Sequence, residues 1–286
     1  MGLFSRKRSK PTTEATASPT AFGGDYRLAL LLLFEALPPL NQRTLQARIE
    51  LLEPMKARLR VSDTTKVDHA AFARITYDEH SIRLVGLGSP APVEAIHEAI
   101  ECAHWNDEDK QPLRRHRSHV LCYYEGASDD PAEQLLACWK LAGGFLDDGL
   151  LGIVDRDAWN CTPAAPLRQL LTPAGIATLR KEPPLGIWTG FARMFKDEDE
   201  VWFCSKGFHR WKVVDFACLG RPSEAEEIFD LFNELFRYAR DSQAAMAPGH
   251  TAQLGDKLLR FLPVSEYPEY LNGPLGTLVV EKIPAR

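Results

Sequence analysis

With 286 residues, 45% of them hydrophobic and 26% charged, the chain holds enough apolar material for one large core or two smaller ones. No run approaches the roughly 18 apolar residues of a membrane-spanning helix; the best, residues 28–34, is followed at once by Glu35 and then by Pro38 and Pro39. The formal charge of -5 is uneven: Arg6, Lys7, Arg8 and Lys10 against Glu14 give the first twenty residues +3, which leaves -8 for the remainder and makes the body a poor bulk match for nucleic acid.

Residues 1–24 are rich in Lys, Arg, Thr, Ser and Pro and carry too little apolar surface to offset the entropy of ordering them, so a disordered basic tail is expected there. The opening MGLFSRKRSK lacks the apolar segment of a secretory signal, and Arg6 stands where N-myristoylation prefers Ser or Thr. Six cysteines (Cys102, Cys122, Cys138, Cys161, Cys204 and Cys218) lie 14 to 43 residues apart without a CxxC pair, the usage of reduced thiols in a cytoplasmic protein.

Order should begin near Tyr26, where LALLLLF has the length and continuous apolarity of a central strand covered on both faces. Residues 41–53 place Leu45, Ile49 and Leu52 on one helical stripe that Pro54 ends. Residues 72–77 and 81–87 alternate as a hairpin, with Ile75 and Tyr77 facing Ile82 and Leu84 across an Asp78-Glu79-His80 turn. A helix over 92–103 buries Val93, Ile96, Ile100 and Ala103, and residues 118–124 form a second buried strand.

Further along, Asp130 caps a helix with Pro131 at its first position and a stripe of Leu135, Cys138, Trp139, Ala142 and Phe145, before a short strand at 149–154. Residues 185–195, 201–205 and 211–219 are β segments, with 196–200 as an acidic hairpin tip. Ser223 and Glu226 form a capping box for a long helix carrying Ile228, Phe229, Phe232, Leu235 and Phe236, and strands at 254–264 and 277–283 close the chain. The pattern predicts an α+β fold of two ferredoxin-like (split βαβ) halves, residues 25–125 and 126–286, with mostly antiparallel sheets and helices packed on one face.

Three stretches carry a family likeness: a hairpin ending LVGLGSPAPVEAI, then RRHRSHVLCYYEGASDDPAEQLLACWKLAGGFLDDGLLGIVDR, then PPLGIWTGFARMF with the long amphipathic helix behind it. Together they resemble the bacterial domain of unknown function 4261 family over roughly residues 28 to 283. The matching positions are Pro90 and Pro92 before a helix, His116 and His119 leading into a buried strand, and the acidic turn 129–131 opening the next helix. The resemblance implies a fold more than a function, since no activity is established for that family; small acidic bacterial families of this kind often look like antitoxins or immunity proteins.

No GxSxG elbow, P-loop, GxGxxG after a strand or HExxH occurs, so no catalytic residue, cofactor or metal is assigned. His116 and His119 with Cys122 come nearest to a metal set, but strand alternation turns the two histidines to opposite faces, and a basic turn plus a buried strand explains them better. The acidic sets at 107–109, 129–130, 147–148 and 197–200 lack the glycine and distal glutamate of a calcium loop and suit helix caps and turn tips. Arg114, Arg115 and Arg117 suit a phosphate or an acidic partner, against the alternative of a solvated basic loop.

Trp188, Trp202, Arg210 and Trp211, in the most aromatic region, are sheet core by default and partner anchors wherever exposed. The expectation is a cytoplasmic, non-enzymatic protein-binding module of the immunity or antitoxin kind, with a protein partner such as a toxin, no nucleic acid and no membrane span. One alternative is an enzyme using His116, His119 or His209 with carboxylates in a cleft between the halves. Another is a structural or regulatory subunit of a larger assembly.

Overall fold

The computed structural model describes residues 28–181, 185–242, 246–255 and 257–283; the expected basic tail lies outside them. LALLLLF forms strand β1 (Leu28–Phe34), and its alternation sends Leu30, Leu32 and Phe34 into one core and Leu31 and Leu33 into another. Such two-sided burial requires an unbroken apolar run, which is why this segment is readable without a periodic pattern.

Helix α1 (Gln42–Leu52) starts where the Asn41 side chain accepts from Thr44 N at 3.0 Å. Strand β2 (Arg60–Val67) follows, and then β3 (Ala70–Tyr77) and β4 (His80–Leu87) pair as the expected hairpin but around a two-residue turn with Asp78 at φ 50°, so that His80, expected in the turn, opens β4 opposite Tyr77 and Ile75 stands opposite Ile82. Helices α2 (Val93–Glu101) and α3 (Asp107–Arg114) lead to β5 (Ser118–Tyr124). Val93, expected inside, is exposed; Ile96, Ala99 and Ile100 carry the buried face of α2. Helix α4 (Pro131–Gly144) is capped by Asp130, which accepts from Ala132 N at 2.9 Å, and its expected stripe is buried. Strands β6 (Leu150–Asp155) and β7 (Asn160–Pro163) and helices α5 (Ala164–Leu170) and α6 (Pro173–Lys181) complete this part.

These seven strands form one sheet in the order β2-β3-β4-β5-β1-β6-β7, antiparallel at every pairing. Residues of α1, α4 and α6 pack on one face, and α2 and α3 cover the β1, β6 and β7 region of the other, so helices flank both faces rather than one. The split βαβ expectation requires one strand between two that are joined through a helix. Here β1 and β2, joined through α1, stand three strands apart, and the sheet takes strands from both sides of residue 125. The hairpins β2-β3 and β3-β4 extend the sheet outward from β5, which is what displaces β2 to the edge.

The second sheet comprises β8 (Gly190–Phe195), β9 (Val201–Lys206), β10 (Asp215–Gly220), β11 (Thr251–Leu254), β12 (Lys257–Pro263) and β13 (Thr277–Ile283), in the order β11-β12-β13-β10-β9-β8. Only β10 and β13 run parallel among its pairings. Helix α7 (Ala225–Ser242) lays Ile228, Leu231, Phe232, Leu235 and Phe236 on Phe203, Phe216 and Phe261. Its cap differs from expectation: Arg221 N donates to Glu224 at 2.7 Å, so the capped turn precedes the helix by a few residues. Residues 185–189 and 211–214, expected as strand, lie outside the strands; Trp211 closes a short helical turn (Phe208–Trp211) and β10 begins only at Asp215. The fold is thus α+β with two mostly antiparallel sheets.

Behind the first sheet, Glu53 ties three helices together. Its carboxylate accepts from Arg180 of α6 at 2.9 Å on both oxygens and from the buried Lys140 of α4 at 2.9 Å. The Arg180 guanidinium, and after it Lys140, holds the Glu53 carboxyl down to about 2 against the opposing effect of burial. A carboxyl depressed on folding contributes stability that is complete above its unfolded value and is lost as pH falls from about 4.5 towards 2. Glu53→Gln is therefore expected to lower the melting temperature at pH 7 and to flatten the acid limb of the stability curve between those values. Melts of the two proteins across that range decide it, and parallel curves would reject the assignment.

Candidate functional site

One group of buried polar side chains lies where the two sheets meet. Strand β6 ends at Asp155, whose carboxylate takes both ends of the Arg210 guanidinium at 2.6 and 2.7 Å. Arg210 lies in the turn between β9 and β10, and its side chain is 7% exposed against 10% for Asp155, so this ion pair joins the sheets out of reach of water. Asp155 also accepts from Ala158 N at 3.2 Å, and Asn160 donates to the carbonyls of Gly186 and Ile187 at 3.2 and 2.8 Å. Gly190 is required here, because a Cβ would lie 1.9 Å from the Ala158 carbonyl oxygen.

Trp188 is 1% exposed and packs edge-on against Trp139, with ring centroids 6.3 Å apart. Trp202 is also buried, against Tyr267, and Trp211 is half-buried against Phe236. Trp188, Trp202 and Arg210 are consequently not available as partner anchors. Large rings this close to a sheet-to-sheet contact are consumed by it, since burying them stabilises the body more than leaving them in solvent.

Beside this junction the structure assembles two residues, Lys206 and Asp215, that sequence reasoning did not single out. Lys206 is buried, and its amine donates to the carbonyls of Tyr270, Leu271 and Asn272 at 2.8, 3.1 and 2.9 Å while lying 4.7 Å from the Trp159 ring centroid. All three N–H donors are thus spent on holding one turn. Asp215 accepts from Phe208 N at 3.2 Å and from Ser205 at 3.3 Å through one oxygen; its other oxygen is buried without a hydrogen bond. Burial pushes the Asp215 carboxyl up to about 7. In sequence these residues sit at strand ends with no spacing signal between them, and the parallel β10–β13 pairing is what brings Asp215 to the 270–277 turn.

The histidines serve separate contacts. His116 is buried, with Nε2 accepting from Ala91 N at 2.8 Å and Nδ1 donating to the Leu113 carbonyl at 2.7 Å. His119 donates from Nδ1 to the Ser89 carbonyl at 2.8 Å. Burial, and then the adjacent Arg210 charge, bring His209 down to about 4, so it is neutral at physiological pH. Cys138, Cys161 and Cys204 are pushed by burial up to about 12, which leaves their thiols protonated and unreactive. Among the described residues no three His, Cys, Asp or Glu side chains converge as a metal cage. The acidic sets act locally: Asp107 to Asp109 open α3, Asp130 caps α4, and Asp197 accepts from the backbone of Asp199 and Glu200 in the hairpin tip.

Several concavities face outward among the described residues, and two of them combine apolar area with charge from the candidate regions. A groove of about 830 Å³ runs between α6 and α7, with Leu170, Leu179, Leu185, Ile187, Phe229 and Phe236 along its floor. Its rim carries charges of both signs, Lys181, Arg237 and Arg240 beside Asp230, Glu234 and Asp241. The second, of about 380 Å³, is lined by Glu35, Pro112, Arg115, Arg117 and Leu151. The basic turn is therefore divided: Arg114 is bound by Glu101 at 2.8 Å and Asp107 at 2.7 Å, while Arg115 and Arg117 face solvent. No family model, no curated protein and no solved structure matches the chain.

Two outcomes follow from the junction. Asp155→Ala leaves a buried guanidinium without its carboxylate and is expected to cost about 3 to 5 kcal/mol in urea unfolding, whereas an Asp155→Leu, Arg210→Met double variant recovers most of that loss. Equal losses would show that the pair itself is not what holds the seam. For Asp215 the folded state keeps a proton that the unfolded chain releases near pH 3.8, so stability falls as pH rises from about 4 to 7 and levels off above. Asp215→Asn should remove that decline, about 4 kcal/mol in full, in unfolding curves taken from pH 4 to 8; a variant with the wild-type slope would contradict it.

Proposed function

We propose that this chain is a non-enzymatic protein-binding module of the immunity or antitoxin kind, and that a segment of its partner lies in the groove between α6 and α7. The observation that carries this reading is the groove itself: an apolar floor long enough for several side chains, bordered by charges that fix the orientation of whatever lies on it. Its volume lies within the range of clefts that hold a ligand. The partner segment has an apolar stripe and charged flanks of both signs, as an amphipathic helix does.

The rest of the molecule agrees with binding more than with chemistry. His116, His119, Asp155 and Asp215, groups that an enzyme would use, are engaged in holding backbone and joining sheets. The net charge of -5 speeds encounter with a basic partner at low ionic strength. No helix among the described residues is long and apolar enough to cross a membrane. Membership of the domain of unknown function 4261 family, with a cytoplasmic place of action, belongs to the same proposal and rests on the sequence stretches that carry the likeness.

Thr178 is exposed on the α6 wall of the groove, and Thr178→Trp fills it without entering the core. Tagged wild-type protein is expected to retain one partner in stoichiometric amount from lysate of its host, and Thr178→Trp, melting at the same temperature, to lose it. A partner held equally by both proteins, or none held by either, would reject the groove as the binding site.

A further inference from the structure

The turn 115–117 presents two guanidiniums by a device that the protein-binding reading leaves unused. His116, between them, is buried and tied to the Ala91 and Leu113 backbone, and Arg117 N donates to the Phe34 carbonyl at 2.9 Å. With the middle residue fixed inward and the backbone anchored to the end of β1, the flanking side chains stand exposed over one concavity of about 380 Å³. Neither Arg115 nor Arg117 has a carboxylate partner among the described residues, although Glu35 lines the same concavity and Arg114 next door takes two.

We propose that this concavity binds a small hydroxylated phosphomonoester. Two guanidinium forks match the oxygens of a phosphate in number and geometry. Pro112 and Leu151 supply an apolar wall for a short carbon frame, and Glu35 accepts hydrogen bonds from hydroxyl groups on it. In an ester the carbon frame sets the donor hydroxyls apart from the phosphoryl oxygens, so Glu35 is met by neutral hydroxyls while the guanidiniums hold the charge; inorganic phosphate, whose hydroxyls sit on phosphorus, brings its charge up to Glu35 with them, so the site favours the ester. The acidic body excludes a polyanion such as nucleic acid from the same surface. This inference does not rest on the α6–α7 groove.

The test is calorimetric titration of the full chain with ribose 5-phosphate, glycerol 3-phosphate and inorganic phosphate at low salt. The sugar phosphate is expected to bind one to one and about tenfold more tightly than inorganic phosphate. Arg117→Ala and Arg115→Ala should each weaken both by about tenfold, with unchanged melting temperatures. Glu35→Gln should strengthen inorganic phosphate and so narrow the difference. No saturable binding of either ester at millimolar concentration, or binding that survives both arginine substitutions, overturns the proposal.

Discussion

Arg210 carries a permanent charge into the seam between two sheets, and its surroundings are arranged so that this charge is fully matched. An unpaired ion moved out of water costs several kcal/mol even after relaxation, so the seam forms only with Asp155 in place on both ends of the guanidinium. A lysine would not serve: its point charge cannot occupy two carboxylate oxygens in one plane, and Asp157, 3.8 Å from Arg210 on the outer side, extends the match. The neighbouring close contacts, Gly190 against Ala158 and Asn160 on the 186–187 carbonyls, have the spacing that this pair sets.

The same logic governs Lys206 and Asp215. Groups that in another protein would act on a substrate are here turned inward as fasteners, with Lys206 bridging three carbonyls and Asp215 receiving one backbone N–H and one hydroxyl. A buried amine with all its donors engaged has no hydrogen left for a ligand, and a carboxyl closed in by Gly273 has no path to one. Under either proposal recognition falls to the surface, where among the described residues apolar area and charge lie together in the α6–α7 groove and in the Arg115 and Arg117 concavity.

The elements legible in the sequence are those whose local signal and tertiary role agree. β1 is an apolar run because it is buried on both faces; α4 and α7 combine a stripe with a cap or acidic first turn; and the β3–β4 hairpin alternates because one face is buried. β2 escaped because RVSDTTKV is exposed along nearly its whole length and is strand only through pairing with β3. α3 escaped because its polar run with Pro112 has little apolar periodicity, so Asp107 to Asp109 suggested a cap without the helix behind it. The aromatic region was legible as core but not as a seam between sheets, since nothing in the spacing of Asp155 and Arg210 shows that they meet. In the basic turn, the sequence could not distinguish Arg114, which is spent on carboxylates, from Arg115 and Arg117, because Glu101 reaches it only through the packing of α2 on α3.

Charge and apolar area then divide the work of recognition. Exposed charges act over about 8 to 10 Å at physiological salt and mainly set how fast a partner arrives, while the buried floor of a groove sets how slowly it leaves. In the α6–α7 groove the rim charges nearly cancel, with three of each sign, so salt has little leverage on a segment seated there and the floor of leucine, isoleucine and phenylalanine decides affinity. The Arg115 and Arg117 concavity has the opposite balance, two positive charges against one carboxylate over a small apolar wall, so a ligand there is held by ionic hydrogen bonds and weakens as salt rises. The two surfaces respond differently to one variable, and ionic strength alone therefore separates the two proposed modes of binding.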